Sequence, residues 1–488
     1  MTNSRVPEIR IQQLNDLPVR SDSDYVLYWM TAQRRRRANF GLQRAVEWCQ
    51  QLGKPLVVLE ALRCDYQWAS DRLHAFVLQG MKDNQKDFAE AGVAYLPYVE
   101  PKKGAGRGLL SALAERAAVV VADEYPCFFL PRMVAAAAAK STTRFEQVDA
   151  NGLLPLRAAD KVFGRAVDFR RFLQRTLAPH LQQFPIGDPL RPDVCKGARI
   201  PAAIAAKWPA ASDELLACES KALSKLPIDH DVEPVACMHG GPVAGGERLR
   251  AFLADKLARY GDRSHPAADS ASGLSAYLHF GHVGVHQVFA GVAKKEEWST
   301  AKMREKVDGA RGWYGMSEAA DGFLDELVTW RELGFNMDWQ RADYAEFESL
   351  PDWAKATMGK HATDAREQTY TLAEFATAST HDPLWNAAQR QLVREGTIQN
   401  YLRMLWGKKV LQWSRTHEEA WAILVELNNR YALDGRDPNS YSGIGWVFGR
   451  YDRPWVPERP VYGVLRYMAS GNTVKKLDMG DYVERFSK

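Results

Sequence analysis

A carboxylate and an indole stand four residues apart in the segment DELVTWREL, at Glu326 and Trp330. On a helix, residues at this spacing lie on one face and contact each other. An adjacent indole shields a carboxylate from water and raises its pKa, which would suit an acid in a binding pocket. A surface glutamate above a core tryptophan gives the same spacing and is the commoner arrangement. The pair is therefore a candidate acid and pocket wall, with a structural alternative.

Residues 381–455 combine tryptophan and arginine at high density. Flat indole rings and guanidinium groups together suit stacking on bases and binding of a polyanion. A dense aromatic core beneath a basic, solvated face is the alternative. The residues concerned are Trp385, Trp406, Trp413, Trp446, Trp455, Arg390, Arg394, Arg403, Arg430, Arg436, Arg450 and Arg453.

Three of these tryptophans have the spacing of an electron relay. Trp406 and Trp413 are seven residues apart, two turns along one helix face, which corresponds to roughly 10 Å along the axis. Trp385 lies on the preceding predicted helix. Indole rings this close can pass an electron in short hops, although two heptad-spaced core residues would show the same spacing.

Two polar segments are candidates for binding a ligand. The segment LDGRDPNSYSG, which contains Asp434, follows Asn428 and is flanked by apolar helix and tryptophan, so it could hydrogen-bond the edge of a heteroaromatic ring. A surface turn is the alternative, because D-G and D-P-N favour turns. The segment SASGLSAYLHFG places Ser270, Ser272 and Ser275 around a glycine at a predicted helix start, where backbone amides form a phosphate cradle or a plain N-cap.

The segment RYDRPWVPERP alternates guanidinium groups with an indole in a loop stiffened by prolines. Arg450, Arg453 and Trp455 lie in it. This arrangement suits backbone phosphates and an unstacked base. The segment is therefore a candidate DNA-binding loop.

The first part of the chain alternates apolar runs with amphipathic stretches, and it must hold these segments in place. DYVLYWM, PLVVLEAL, VAYLPYV and AAVVVADEY are predicted strands, separated by predicted helices that end at glycine. This alternation predicts βαβ units on a parallel sheet, hence a Rossmann-like α/β domain over residues 1–150. No G-x-G-x-x-G follows the first strand, so ordinary dinucleotide binding is not expected there. The run Arg34–Arg37 is expected to be a solvated face, with an anionic ligand as the alternative.

Residues 151–245 are rich in proline and glycine and have weak periodicity, which predicts a long linker with short helices. From residue 246 to 488 the pattern is helical throughout, and successive amphipathic stretches carry plausible caps. An all-α second domain is therefore predicted. It contains every candidate site described above.

Composition narrows the functional classes. The 488 residues carry a net charge of +4, which is too small to predict a nucleic-acid partner by itself. The first twenty residues lack the apolar core of a signal peptide, and no apolar run approaches membrane-spanning length. The six cysteines include no C-x-x-C pair, which argues against a disulfide framework and a zinc site. A cytoplasmic protein with no metal and no membrane partner is expected.

Taken together and in this order, the motifs resemble the photolyase–cryptochrome family, and within it the class II cyclobutane pyrimidine dimer photolyases. The resemblance covers nearly the whole chain and is densest from 260 to 470. The strings that carry it are SGLSAYLHFG, DELVTWREL, THDPLWNAAQRQLVREG, RMLWGKKVLQW, LNNRYALDGRDPNSYSGIGW and DRPW.

The resemblance implies a helical domain that holds FAD in a bent shape. The residues expected to contact FAD are Tyr260, Ser272, Gly273, Leu274, Ser275, Arg403, Asp434, Gly435 and Arg436. Arg403 and Asp434 are expected to form an ion pair beside the isoalloxazine ring, and Asn428 is expected to face its N5 atom. A second antenna chromophore of the deazaflavin or folate type is possible in this family, and the segment ADEYPCFF departs from the family pattern there.

The resemblance also implies roles in repair of double-stranded DNA that contains pyrimidine dimers. Glu326 would hydrogen-bond the dimer carbonyls, while Trp330 and Trp446 would enclose the dimer bases beside Met404. Trp406, Trp385 and Trp413 would relay electrons that photoreduce the flavin. Arg450, Arg453 and Trp455 would contact the DNA. A monomer is expected.

Three functional hypotheses remain open at this stage. The first is light-dependent repair of cyclobutane pyrimidine dimers by an electron from excited, reduced FAD. The second is a cryptochrome-type blue-light receptor with the same FAD pocket and no repair activity. The third, repair of the (6-4) lesion, is expected to need a histidine acid that the resemblance does not assign. The retained Glu326, Trp330 and Trp446 favour dimer repair.

Overall fold

The structure, a computed structural model, describes residues 6–265 and 268–487. Six strands form one sheet in the order β1-β6-β5-β2-β3-β4. All neighbouring strands are parallel except β1, which runs antiparallel to β6. The predicted parallel α/β sheet is therefore confirmed. The strands are β1 (Ile11–Gln13), β2 (Tyr25–Met30), β3 (Leu56–Leu62), β4 (Ala94–Val99), β5 (Ala117–Glu124) and β6 (Arg144–Asp149).

Strands β2, β3, β4 and β5 coincide with the four predicted apolar runs, because a parallel sheet covered on both faces needs continuous apolar strands. Strands β1 and β6 were not predicted. Strand β6 carries Arg144 and Glu146, and the buried Glu146 carboxylate pairs with Arg44 of α1 at 2.8 Å. Helices cover both faces of the sheet and are α1 (Phe40–Leu52), α2 (Asp71–Glu90), α3 (Leu109–Ala114) and α4 (Leu130–Ala138).

The arginine run after β2 is structural rather than a solvated face. Arg35 is only 2% exposed. Its guanidinium group donates to the carbonyl of Gly281 in the helical part at 2.9 Å and to the carbonyl of Ala38 at 3.0 Å. Arg36 donates to both carboxylate oxygens of Asp188. The expectation of a solvated face was wrong for Arg35, since it joins the sheet to the helical part.

The segment between the two parts contains four short helices. Phe169 and Leu173 pack in the core of the helical part, whereas Ile204 and Trp208 pack against the sheet. The segment therefore contacts both parts, and the boundaries 1–150, 151–245 and 246–488 stay a prediction. The helices are α5 (Ala166–Thr176), α6 (Ala202–Lys207), α7 (Asp213–Leu216) and α8 (Ser220–Leu223).

The rest of the described chain is helical, as predicted. None of the helices in the described ranges has the length and apolar character needed to span a membrane. The helices are α9 (Pro242–Ala251), α10 (Ser275–His279), α11 (Val285–Lys295), α12 (Glu318–Leu324), α13 (Arg331–Gln340), α14 (Asp352–Lys360), α15 (Leu372–Ala376), α16 (Pro383–Glu395), α17 (Asn400–Trp413), α18 (His417–Tyr431), α19 (Pro438–Val447), α20 (Ser470–Lys476) and α21 (Gly480–Arg485).

Two irregular turns lie next to the candidate site. A π-helical turn, Asp325–Trp330, joins α12 to α13 without a break in the chain direction. A second π-helical turn, Phe252–Lys256, follows α9 and leads into a 3-10 helix, Leu257–Ser264. Turns of this kind occur frequently at functional sites because they change which side chains face a helix neighbour.

Candidate functional site

Two cavities lie side by side in the helical part, each of about 490 Å³. The first, the tryptophan cavity, is lined by Trp330, Met404, Trp406, Asn428 and Trp446 among others. The second, the serine cavity, is lined by Tyr260, Ser270, Ser272, Gly273, Ser275 and Asp434 among others. Arg263, Glu326, Asn400 and Arg403 line both cavities and form their boundary.

Glu326 lies on this boundary and is held by a neighbour that the sequence patterns did not suggest. Arg263 Nη2 donates to Glu326 Oε1 at 2.8 Å. The two side chains are 22% and 31% exposed, so the ion pair faces the cavities rather than bulk solvent. The Arg263 guanidinium group also lies 4.8 Å from the centre of the Tyr260 ring. The π-helical turn thus presents a fixed carboxylate and a fixed cation to the same space.

The walls of the tryptophan cavity come from three elements. Trp330 ends the π-helical turn, Met404 lies on α17 and Trp446 lies at the end of α19. All three residues that were predicted to enclose the dimer therefore line one cavity together with Glu326. Two partly buried indoles in one cavity suit a ligand with flat faces.

Trp446 has two cations against its ring. Lys408 Nζ lies 5.2 Å and Arg466 Cζ 5.4 Å from the ring centre. Lys408 is fully buried, and its Nζ donates to the carbonyl of Val447 at 2.6 Å. Burial lowers the pKa of Lys408 to about 7, although Asp452 opposes this shift. Lys408 therefore fixes both the indole and the last carbonyl of α19.

The serine cavity offers polar groups without partners. Ser270 is buried, and its hydroxyl has no hydrogen-bond partner among the described residues. Gly273 has a φ of +65°, a left-handed conformation that glycine adopts without strain. The backbone N–H of Leu274 donates to Ser272 Oγ at 3.4 Å. Burial raises the pKa of Tyr260 well above its usual value, so its phenol stays protonated.

The predicted ion pair stands where the two cavities meet. Arg403 Nη2 lies 3.2 Å from Asp434 Oδ1. Asn428 lies on α18, and its side-chain amide donates to Asn429 Oδ1 at 3.2 Å while lining the tryptophan cavity. A cofactor with a pyrophosphate and a large ring system needs hydroxyl and backbone N–H groups at one end and a partly apolar slot at the other. The residues of the two cavities therefore fit FAD.

Two residues predicted to contact the cofactor, Gly435 and Arg436, have a structural role in the turn after α18. Gly435 packs against the preceding helix end, where an added Cβ would come within 2.8 Å of the carbonyl of Asn428. Arg436 is buried, and its guanidinium group donates to the backbone carbonyls of Asn429 and Leu433. Arg436 lines a different cavity, between the sheet and the helical part. Both residues thus close the turn after α18, and their contact with the cofactor stays a prediction.

The same segment is helical where the sequence indicated a polar loop. The polar loop after α18 is short, and D-P-N begins α19 rather than forming a surface turn. Asp437 Oδ1 accepts from the backbone N–H of Asn439 at 2.9 Å, and Pro438 takes the first helical position. Aspartate at the N-cap followed by proline is typical of a helix start. Helix α19 thereby carries Trp446 to the cavity wall.

The three predicted relay tryptophans are in contact and buried. The rings of Trp385 and Trp406 are stacked at 7° with centres 6.5 Å apart. The rings of Trp385 and Trp413 are 6.2 Å apart. Trp406 lines the tryptophan cavity, so the order from the cavity outward is Trp406, Trp385, Trp413. The indole N–H of Trp385 donates to the carbonyl of Trp406 at 3.0 Å, which fixes the first pair.

Of the three residues predicted to bind DNA, two are accessible and one is not. Arg453 is exposed and lies 4.6 Å from the centre of the Trp455 ring. Arg450 is only 1% exposed, and its guanidinium group donates to the carbonyls of Tyr441 and Tyr344. Arg450 cannot contact DNA because it is committed to these buried carbonyls. Its assignment to DNA binding was therefore wrong.

Sequence patterns missed Arg263, Lys408 and Arg466. Two of them had a local signal, because Arg263 follows Tyr260 by three residues and Lys408 follows Met404 by four, which are spacings of one helix face. Arg466 had none, since it reaches Trp446 from a segment twenty residues further along the chain.

The chain is similar to curated proteins over almost its whole length. A deoxyribodipyrimidine photo-lyase from Methanothermobacter thermautotrophicus is 32% identical over 480 residues, covering 98% of this chain and 97% of that protein. The photo-lyase from Potorous tridactylus is 29% identical and covers 97% of this chain and 83% of that protein. The photo-lyase from Arabidopsis thaliana is 29% identical, and the match covers 94% of this chain and 88% of that protein. No protein-family model matches the chain.

Solved structures support the fold. A class III photolyase from Agrobacterium tumefaciens superposes with a TM-score of 0.69 at 18% identity, covering 95% of this chain and 86% of that chain. A cryptochrome from Synechocystis superposes with a TM-score of 0.67 at 14% identity, covering 95% of this chain and 88% of that chain. The relatives match over nearly their full length, and the chain therefore belongs to the photolyase/cryptochrome family, among the deoxyribodipyrimidine photo-lyases, which are enzymes of DNA repair.

Proposed function

We propose that this protein repairs cyclobutane pyrimidine dimers in double-stranded DNA in a light-dependent reaction, as a photolyase of class II. The observation that carries the proposal is the tryptophan cavity, in which Glu326 and Arg263 face the space between Trp330 and Trp446. The class assignment is supported by the strings DPLWNAAQRQLVREG and DGRDPN. The curated relatives support pyrimidine dimers as the lesion.

The chain's own groups have distinct tasks in this proposal. The rings of Trp330 and Trp446 stack on the two bases of a dimer that has left the duplex, and Met404 fills the space beside them. Negative charge on the carbonyl oxygens of the dimer is stabilised by hydrogen-bond donors fixed in advance. The Arg263 guanidinium group is a donor at that position, and the Glu326 carboxylate holds it there.

FAD is the cofactor in this proposal, and when bound and reduced it supplies the electron that light releases. The serine cavity holds its phosphates through the hydroxyls of Ser270 and Ser272 and the backbone around Gly273. The Arg403–Asp434 ion pair fixes the electrostatic potential beside the ring system. Asn428 contributes an amide to the same wall.

Trp406, Trp385 and Trp413 form an electron path that leads outward from the tryptophan cavity. Their centre-to-centre distances of 6.5 and 6.2 Å favour hopping between neighbouring rings. Their burial keeps the charge away from water until it reaches the outer end. The path would keep the cofactor reduced between repair cycles.

A cryptochrome-type receptor is the alternative that the solved structures leave in view. A receptor needs the serine cavity and the relay, but it needs no pair of aromatic walls around a carboxylate. Trp330, Trp446 and Glu326 therefore favour repair. The exposed Arg453 beside Trp455 adds a DNA-binding loop at the edge of this site.

A second chromophore is a separate prediction. The cavity at the carboxyl ends of β2 and β3 has a volume of about 100 Å³ and is lined by Tyr66, Phe128 and Phe129. Sites for small organic ligands usually exceed about 300 Å³. A deazaflavin or folate would require these aromatic side chains to move, and the absorption spectrum of the purified protein would reveal it.

Binding in the dark tests the substrate part of the proposal. Wild-type protein is expected to bind a duplex with one thymine dimer more tightly than the undamaged duplex. Trp446→Leu is expected to reduce this preference about tenfold, because stacking on one base contributes about 1–3 kcal/mol. Trp68→Leu, in the sheet-containing part, is the matched control and should retain the preference. Equal affinity of the wild-type protein for both duplexes would exclude dimer recognition.

A further inference from the structure

A third depression adjoins the tryptophan cavity, and we name it the aromatic groove. It has a volume of about 480 Å³ and shares Met404, Trp446 and Arg466 with the tryptophan cavity as a common wall. The groove is further lined by Tyr401, Trp455, Arg459, Tyr467 and Lys476. Its lining comes from α17, from the end of α19, from the segment between α19 and α20, and from α20. Tyr401, Arg459, Tyr467 and Lys476 have no part in the repair site described above.

The side chains of the groove pair each ring with a cation. Arg459 Cζ lies 4.7 Å from the centre of the Tyr467 ring, and Lys476 Nζ lies 5.4 Å from that of Tyr401. Arg466 Cζ lies 4.0 Å from the centre of the Trp455 ring. Among the described residues that line the groove, none is aspartate or glutamate.

This chemistry selects an anionic ligand that contains flat rings. Aromatic faces in a positively charged groove are the usual means of holding unpaired nucleotides, because every base can stack and every phosphate is attracted. The side chains that bear the cations are partly or fully exposed, so they are accessible to DNA. The charge and the rings together favour a nucleotide over an apolar ligand or a peptide.

The common wall indicates which nucleotide this would be. When a dimer leaves the duplex, the bases opposite it lose their partners, and unpaired bases are free to unstack. The neighbours of the dimer in its own strand keep their partners and therefore offer no free face. Trp455 is both a wall of the groove and part of the loop that, in the proposed function, binds DNA at the edge of the repair site.

We propose that the aromatic groove binds an unpaired nucleotide of the strand opposite the lesion, while the dimer occupies the tryptophan cavity. This inference rests on the proposed function. Tyr467 and Trp455 stack on the displaced base, and Arg459 and Lys476 neutralise phosphates beside it. Occupation of both sites offsets the cost of opening the duplex, so the groove contributes to preference for damaged duplex DNA.

The test is a thermodynamic cycle measured in the dark by fluorescence anisotropy. Two duplexes carry the same thymine dimer, one with adenines opposite it and one with abasic sites there. Wild-type protein is expected to bind the first duplex about fivefold or more tightly, since one stacked base has about this effect. Tyr467→Leu is expected to bind both duplexes alike, and Tyr467→Phe, which keeps the ring, should behave as wild type. If Tyr467 contacts the opposite base, the losses of binding free energy caused by Tyr467→Leu and by the abasic sites will not add.

A matched pair of lysines tests the phosphate contact. Lys476 lines the groove, whereas Lys475 is an exposed neighbour that does not. Lys476→Gln is expected to lower the slope of log K against log salt by about 0.9 for the damaged duplex, as expected for one lost phosphate contact. Lys475→Gln should leave the slope unchanged. Equal slopes for the two variants would contradict the assignment of Lys476.

Three results would overturn the proposal. Additive effects of Tyr467→Leu and the abasic sites would show that the ring and the opposite base do not meet. If Tyr467→Leu lost as much affinity for single-stranded DNA with the dimer as for the damaged duplex, the groove would bind the lesion strand. If it lost as much affinity for the undamaged duplex, the groove would be a general DNA contact. A wild-type protein that does not distinguish damaged from undamaged duplex would instead refute the proposed function, and this inference with it.

Discussion

At the scale of single residues, the site depends on side chains that hold one another. Glu326 has its carboxylate fixed by Arg263 at 2.8 Å, and both groups face the cavities. Trp446 is held between Lys408 and Arg466. A group fixed before the substrate arrives needs little reorganisation when charge develops, and this is the main source of electrostatic catalysis.

Substitution of Glu326 tests this arrangement. Glu326→Ala is expected to lower the number of dimers repaired per absorbed photon severalfold, because the Arg263 guanidinium group loses the carboxylate that fixes it. The affinity for FAD should be retained, since the hydroxyl and backbone groups proposed to hold its phosphates are unchanged. Glu318→Ala, an exposed glutamate at the start of the same helical run, is the control. An unchanged yield for Glu326→Ala would remove Glu326 from the reaction.

Substitution of the middle relay residue separates photoreduction from repair. Trp385→Phe is expected to abolish light-driven reduction of the oxidised, FAD-loaded protein by an external thiol, because the hop from Trp413 to Trp406 loses its intermediate. Repair by chemically reduced protein should persist. Trp421→Phe is the control, since Trp421 is a buried tryptophan whose ring contacts are Phe347 and Phe448, outside the relay. Persistent photoreduction in Trp385→Phe would mean that electrons take another route.

At the scale of elements, α17 and α19 build most of the tryptophan cavity. Helix α17 carries Arg403, Met404 and Trp406, and α19 ends at Trp446 and Val447. Lys408 links the two helices, because its buried ammonium group donates to the last carbonyl of α19. This link places an amine in an environment that disfavours its charged form.

The stability of this link is expected to depend on pH. Burial lowers the pKa of Lys408 to about 7, from the usual value of 10.5 for lysine. Between these values the unfolded chain binds a proton that the folded chain does not, so the free energy of unfolding rises with pH. From pH 7 to pH 9 the expected rise is about 2 kcal/mol. Denaturant unfolding at both pH values should show this rise in wild type and not in Lys408→Met.

Lys475→Met, which removes an exposed lysine, should retain the rise. A wild-type protein with the same free energy of unfolding at pH 7 and pH 9 would show that Lys408 keeps its charge in the folded state. The fit of Trp446 would then depend on a charged rather than a neutral amine.

Helices and strands were predictable from the sequence where the pattern of apolar residues alone determines them. Strands β2 to β5 follow from continuous apolar runs, and α16 to α18 follow from amphipathic spacing. Helix α19 was missed because D-P-N is compatible with both a turn and a capped helix start. Strand β6 was missed because its charged residues are paired by partners far along the chain, such as Arg44.

Site residues divide in the same way. The positions of Trp330 beside Glu326 and of the relay tryptophans follow from spacing on helices. Trp446 was placed only by the family resemblance, since α19 was not predicted. Arg450 could not be placed in this way, because its burial depends on carbonyls of segments about a hundred residues away, such as Tyr344. Tertiary contacts of long polar side chains leave no local pattern.

At the scale of the whole molecule, the sheet braces the helical part that contains the site. Arg72 of α2 donates to the carbonyls of Leu392, Val393 and Tyr431, at the ends of α16 and α18. Gly281 approaches the carbonyl of Ala32 so closely that an added Cβ would lie 2.0 Å from it. These contacts hold the relay and both cavities in one fixed frame. Light absorption, electron transfer and dimer binding can therefore occur within a single chain.

The central claim is that this frame serves repair and not only light detection. The most direct test is illumination of FAD-loaded, chemically reduced protein with a duplex that contains a single thymine dimer, followed by separation of repaired from unrepaired strands. The account predicts conversion of the dimer to two thymines in blue light and none in a dark control. A protein that binds the dimer duplex and FAD but leaves the dimer intact after illumination would contradict it.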